Sequence, residues 1–224
     1  MPPATGGKSL ATSSLALRLI VTVVALGIWF WTQSLIGARS VPSSGIGDSI
    51  HTATAPANLY LHEHPAAANA LLIVSSGLID LMGISLLAMW MFRGDSRPFI
   101  GLLIVLGLRQ ILQACVALPI PPDAIWHYPG FPSLLVTYGV ANDFYFSGHT
   151  AIAVLGAAEL VRPRKRWLTS AGVAVVIFEA ATVLVLRAHY TMDVFTGLVT
   201  GLYAAHLAEN ISRWQVKRAS ALSS

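Results

Sequence analysis

Charge is what this sequence most lacks. Asp, Glu, Lys and Arg make up 11% of its 224 residues, where a soluble domain carries about 25%. With 55% hydrophobic residues and a mean hydropathy of +0.67, that deficit excludes an ordinary soluble domain and places the chain in the membrane class. Cysteine is nearly absent as well. Cys115 alone excludes an internal disulfide or a cysteine metal site, and its apolar setting makes it a small packing residue. The formal charge of +4 does not call for a nucleic-acid partner, because basic loops on one side of a membrane act as orientation signals.

What the chain has is long apolar runs. A membrane-spanning helix needs about 20 mostly apolar residues, and six stretches fit or nearly fit: 17–37, 69–92, 99–119, 144–161, 167–187 and 190–208. The expected fold is all-α, a polytopic six-transmembrane-helix bundle. Residues 1–14, rich in Pro, Gly, Ser and Thr, form a tail expected to be disordered; 15–210 form the transmembrane domain, and 211–224 a short basic tail. Eleven of the fourteen Lys and Arg, from Lys8 and Arg18 to Lys217 and Arg218, fall on one side of this topology. The positive-inside rule puts both termini there, in the cytoplasm. Compact loops and short tails suggest a bacterial inner membrane.

Two motifs then meet at the opposite, non-cytoplasmic face. One is Phe146-Ser147-Gly148-His149-Thr150, the other Arg187-Ala188-His189-Tyr190-Thr191-Met192-Asp193. His189 and Asp193 are four residues apart and share a helix face. A carboxylate there fixes the imidazole tautomer and leaves the other ring nitrogen free to attack phosphorus. His149 suits the acid–base role. Ser147, Gly148 and the helix N-terminus that follows them offer donors to a phosphate, and Arg187 offers positive charge. One such histidine alone would be a packing or anchoring residue, but three acid–base groups at one face point to catalysis.

These motifs resemble those of the type 2 phosphatidic acid phosphatase superfamily, and within it the sphingomyelin synthase-like branch, with Ser-Gly-His-Thr at 147–150 and His-Tyr-Thr-x-Asp at 189–193. Asn142-Asp143-Phe144-Tyr145-Phe146 is similar to that branch's approach to its first motif. Arg109-Gln110-Ile111-Leu112, the Leu118-to-Asp123 stretch, Arg187 and Ala38-Arg39-Ser40 are similar to the plant phosphatidylcholine:diacylglycerol cholinephosphotransferases. The resemblance implies six transmembrane helices, a triad of His149, His189 and Asp193, and a phosphohistidine on His189. The simple phosphatases of the superfamily carry Lys-x6-Arg-Pro, but Trp90 and Leu155 stand at the lysine positions here. They also carry Ser-Arg before the second histidine, where this chain has Thr182 and Val183.

The expected reaction is transfer of a phosphoalcohol headgroup, phosphocholine from phosphatidylcholine, to a lipid hydroxyl of diacylglycerol or ceramide, with no cofactor or metal. The alternatives are hydrolysis of a phospholipid monoester and non-catalytic lipid binding or transport. Asp143, Arg109, Asp80 and Tyr190 are candidate supporting residues. Asp80, Arg109 and Glu179 are costly in lipid and are expected to face inward, Asp80 and Arg109 as an ion pair. His51, His62 and His64 lack ligand spacing and read as a solvated loop. Asp123, Trp126, His127 and Tyr128 suit a quaternary ammonium group. Gly197 and Gly201 form a GxxxG packing pattern.

Overall fold

The computed structural model describes residues 15–38, 46–138 and 144–222. Asp143, Asn142, Arg39 and the tail 1–14 lie outside the described residues. Among the described residues eight helices follow in order: α1 (Leu15–Gly37), α2 (Ser49–Ala53), α3 (Ala55–Glu63), α4 (Pro65–Arg93), α5 (Ser96–Cys115), α6 (Gly148–Val161), α7 (Arg166–Val185) and α8 (Thr191–Leu222). No strand occurs among the described residues, in keeping with an all-α chain.

Among the described residues four helices, α1, α4, α5 and α7, are long and apolar enough to cross a membrane. The expected fourth and sixth spans differ from them. The 14 residues of α6 make a helix of about 21 Å, short of the roughly 30 Å hydrocarbon core. Nine consecutive residues, His149 to Ala157, are buried, because α6 is the central helix, enclosed by α4, α5, α7 and α8. Most are small, which lets the surrounding helices close in. α8 runs on to Leu222 without a break at 210, so the residues read as a basic tail continue the helix. Cys115, expected inside the packing, is exposed on α5.

Gly197 and Gly201 of α8 face the start of α6. A Cβ at Gly197 would lie 2.5 Å from the Ser147 carbonyl oxygen, and one at Gly201 2.8 Å from that of Ala151. Only hydrogen fits there, and the GxxxG pattern is a close helix contact.

At one end of the bundle Arg97, Arg162 and Arg213 interleave with Glu159 and Glu209. Arg97 meets Glu159 at 2.6 Å, Arg213 meets Glu209 at 2.8 Å, and Arg162 bridges both acids. The network ties the start of α5 and the end of α6 to the second half of α8. The histidine motifs lie at the opposite ends of α6 and α8.

The connection from α5 to α6 dips back between the helices. The N–H groups of Leu134 and Leu135 donate to the two carboxylate oxygens of Asp80, at 2.8 and 2.9 Å, in the middle of α4. Leu135 is buried against Gly83, where an added Cβ would lie 2.2 Å from its Cδ1. The hydroxyls of Tyr138 and Ser76 are hydrogen-bonded to each other. This overturns the expected Asp80–Arg109 pair. Asp80 is taken up by the loop backbone, and Arg109 reaches Gln33 on α1. Non-helical backbone at membrane depth survives only where its polar groups are satisfied inside the protein. Asp80→Ala orphans two N–H groups at about 1–3 kcal/mol each, so a lower Tm in detergent is expected, with Asp80→Asn losing less.

Candidate active site

α7 ends in a tight left-handed turn. Ala188 N donates to the Val183 carbonyl at 2.8 Å and Arg187 N to that of Leu184 at 3.1 Å, the paired closure that normally has glycine at its left-handed position. Arg187 occupies that position with φ 52°, a conformation costly for a residue with a Cβ. Its guanidinium holds the turn from outside, donating to Asp123 at 2.7 Å, to the Pro122 carbonyl at 3.0 Å and to the His51 carbonyl at 3.4 Å. The expected phosphate-binding role of Arg187 therefore meets a different geometry. The side chain is an anchor between outer loops and does not line the histidine cavity. Asn58 of α3 adds a second tie, to the Val185 carbonyl at 2.9 Å.

The turn delivers His189 just ahead of α8. His189 Nδ1 faces the Phe144 carbonyl at 3.4 Å and the Asp193 carboxylate at 3.7 Å. The second distance lies within ion-pair reach but beyond a hydrogen bond, and Asp193 Oδ2 is taken by the Tyr190 N–H at 2.8 Å. Acceptors around Nδ1 favour its protonation and leave Nε2 to the cavity. Asp193 is fully buried, and its Oδ1 has no partner among the described residues.

Ser147 caps α6. Its hydroxyl accepts from Thr150 N at 3.3 Å and pairs with the Thr150 hydroxyl at 2.9 Å, which occupies the group expected to meet phosphate. Ser147 N donates to the Asp193 carbonyl at 3.2 Å, so the first turns of α6 and α8 are joined through the two motifs themselves. His149 is buried, and its Nε2 has no hydrogen-bond partner among the described residues.

One cavity of about 40 Å³ gathers His149, His189 and Gly148 from the motifs, with Arg109 of α5, Trp29 of α1 and Trp126 of the outer loop. Trp126 meets His149 edge-on at 5.5 Å. Arg109 lies beside Gly148, whose added Cβ would sit 3.6 Å from Arg109 Nε. Tyr190 is buried outside this lining, with its hydroxyl accepting from Ile46 N at 3.3 Å. Of the aromatic loop residues, only Trp126 reaches the cavity. Asp123 pairs with Arg187, and His127 contacts Asn69 at 2.7 Å. Glu179, in α7, is buried and accepts from Ser75 at 2.6 Å.

The three outer histidines part company. His62 contacts the Asp123 carbonyl at 3.1 Å and His64 the Tyr60 carbonyl at 2.8 Å, both exposed. His51, expected in solvent, is buried against the second motif. Nearby Asp48 accepts from Thr191. No local pattern announces these two residues, because their role comes from contacts made about 140 positions away. Burial pushes the Asp48 carboxyl up, but the Thr191 and His51 hydrogen bonds and the His51 ring outweigh it and hold it below the usual carboxylate value. Its contribution is therefore complete above the ordinary value of about 3.9 and is lost as pH falls through the lowered one. Asp48→Asn should lower stability near neutrality and flatten the acid limb of the stability–pH curve, so that variant and parent converge at low pH.

The comparisons agree with the motifs. Residues 48–210 match the model of the AtPDCT1/2 family. Phosphatidylcholine:diacylglycerol cholinephosphotransferase 1 of Arabidopsis thaliana is 24% identical over 188 residues, covering 84% of this chain and 60% of that protein. The chain thus spans about 60% of the length of this relative. No solved structure matches. With the family model covering most of the chain, from the Asp48 cap through both histidine motifs, this chain belongs to the AtPDCT1/2 family.

Proposed function

We propose that the chain is a lipid headgroup phosphotransferase that moves phosphocholine from phosphatidylcholine to diacylglycerol. The observation that carries this is the shared cavity, in which a histidine of α6 and a histidine of the turn between α7 and α8 meet beside an arginine. The name of the plant relative supplies donor and acceptor. Ceramide has no counterpart in that name, and a plant relative lends no support to a bacterial membrane.

His189 Nε2 attacks phosphorus, and the bond from phosphorus to the glycerol oxygen breaks. The departing oxygen keeps the electron pair and takes a proton from His149, leaving phosphocholine on His189. His149 then removes the proton of the acceptor hydroxyl, whose oxygen attacks phosphorus. The nitrogen–phosphorus bond breaks and its electrons return to His189. Asp193 stabilises the positive imidazole. Arg109, positioned where Arg187 had been expected to act, balances the charge that develops on the phosphoryl oxygens. At about 40 Å³ the cavity is far below the roughly 300–1,000 Å³ of a ligand pocket. Its walls must part to admit a headgroup, and the loop pinned to Asp80 forms one of them.

Six crossings are the favoured topology, with α6 as a span enclosed by the other helices and the first half of α8 as a span whose outer face, at Phe195, Val199 and Leu202, is exposed. The arginine-rich end then faces the cytoplasm and the histidines face the opposite side.

The test is purified protein in detergent and chelator, given headgroup-labelled phosphatidylcholine with and without unlabelled diacylglycerol of distinct acyl chains. Label in a new phosphatidylcholine species, only when the acceptor is present, is expected. Label released to water without acceptor would instead make the protein a hydrolase.

A further inference from the structure

The turn that carries His189 belongs to neither α7 nor α8. Helical hydrogen bonding therefore does not fix the peptide plane that follows it, and something else must. Segment 46–51 lies against this turn at three consecutive residues. The Nε2–H of His51 donates to the His189 carbonyl at 2.9 Å. The His51 ring stacks on Tyr190 with centroids 5.6 Å apart and planes 27° apart. Asp48 accepts from Thr191 N at 2.6 Å with one carboxylate oxygen and from the Thr191 hydroxyl at 2.8 Å with the other. The same carboxylate caps α2, accepting from Ile50 N at 2.9 Å and His51 N at 3.3 Å. Cap and clamp are therefore one unit, since Asp48 orders the short helix that presents His51.

We propose that Asp48 and His51 are positioning residues for the nucleophile, holding the His189–Thr191 turn so that the His189 imidazole faces the cavity. This rests on the proposed role of His189. A buried histidine is most often a satisfied packing residue. Here the group it satisfies is the carbonyl of the proposed nucleophile itself, and the tautomer is fixed because only Nε2–H can donate to a carbonyl. Without this contact the peptide is held from its other side alone, by the Tyr190 N–H on Asp193 at 2.8 Å, and the turn can tilt and move the ring. Misplacement by about 1 Å costs about 10²-fold in rate.

The experiment is rapid-quench measurement of headgroup label bound to the full-length protein, using phosphatidylcholine without acceptor. The enzymes are the parent, His51→Ala, His51→Asn and His51→Gln. The glutamine amide reaches the place of Nε2, whereas the asparagine amide reaches only that of Nδ1. Burst amplitude counts folded, competent sites, and burst rate reports the chemistry at each of them. The expected result is a burst slowed about 10–100-fold in the alanine and asparagine variants, amplitude and KM near the parent's, and most of the rate recovered with glutamine. A smaller amplitude at unchanged rate would reduce His51 to a stability contact and overturn the proposal, as would glutamine behaving like asparagine or all three matching the parent. A parent enzyme that transfers headgroup with no adduct on His189 overturns the proposed reaction and the clamp with it. That failure is read in the parent, before any variant, and is thereby told apart.

Discussion

His189→Ala removes headgroup transfer, by on the order of 10⁴-fold or more, while the protein keeps its Tm and elution volume in detergent. A nucleophile that carries the covalent intermediate has no substitute in the cavity. His149 is the other imidazole there, but it comes from the first turn of α6, and its proposed work is proton transfer. Loss of a group that forms the intermediate is accordingly among the largest single-residue effects in enzymes. His149→Ala should cost less, about 10²–10⁴-fold, as general acid–base catalysts do. The loss should also shrink with a donor whose leaving group is more acidic and needs no proton. Initial rates of label transfer, normalised to folded protein, measure both. A His189→Ala enzyme with more than a few per cent of parent activity would remove the residue from the mechanism.

Gly197→Ala is the second large effect, and it acts at a distance from substrate. Its added Cβ would lie 2.5 Å from the Ser147 carbonyl oxygen and 3.3 Å from Thr150 Cβ. Both neighbours belong to the capped first turn of α6, so relief requires α6 and α8 to separate. Overpacking of this kind costs about 1–3 kcal/mol. The activity loss should exceed the stability loss, because α6 carries His149 and α8 carries Asp193, with Ser147 N bonded to the Asp193 carbonyl at 3.2 Å between them. A separation of even a few tenths of an ångström falls on the distance the reaction depends on. Gly107→Ala is the control. It lies on α5 with nothing within 4 Å of an added Cβ, and should leave activity and Tm near the parent's. Thermal denaturation and transfer rates measured on the same preparations separate the two consequences.

The parts of the site that can be read from sequence are those whose chemistry is local. The capping serine, the glycine and His149 stand in one short run. His189 and Asp193 are a single helical turn apart, and an apolar run marks each of the long helices. What sequence hides are relations set by the path of the backbone. Arg187 sits two residues from His189 and looks like its electrostatic partner, yet the left-handed φ of 52° at that residue goes with an outward turn to Asp123. Arg109 lies 40 positions before His149 and reaches the cavity only because α5 packs beside α6. Asp80 and Arg109 look like a buried pair by depth along their helices, until a loop with its own unsatisfied N–H groups enters and claims the carboxylate. His51, in a polar stretch with two other histidines, gives no sign of its burial against Tyr190.

The length of α6 illustrates the same limit. Apolar residues from Phe144 onward suggest a full span, but Ser147 starts the helix only at Gly148 and Pro163 follows its end. A helix enclosed by protein on all sides need not match the bilayer thickness that governs lipid-facing ones.

The central claim is that His189 carries the headgroup between donor and acceptor. Its most direct test is mass spectrometry of the intact protein and its peptides, after brief exposure to phosphatidylcholine without acceptor and quenching at alkaline pH, which preserves phosphoramidates. The account predicts a phosphocholine adduct on the peptide containing His189, discharged within one turnover when diacylglycerol is added and absent from His189→Ala. An enzyme that transfers headgroup while no such adduct forms, or forms it on a different residue, would contradict it.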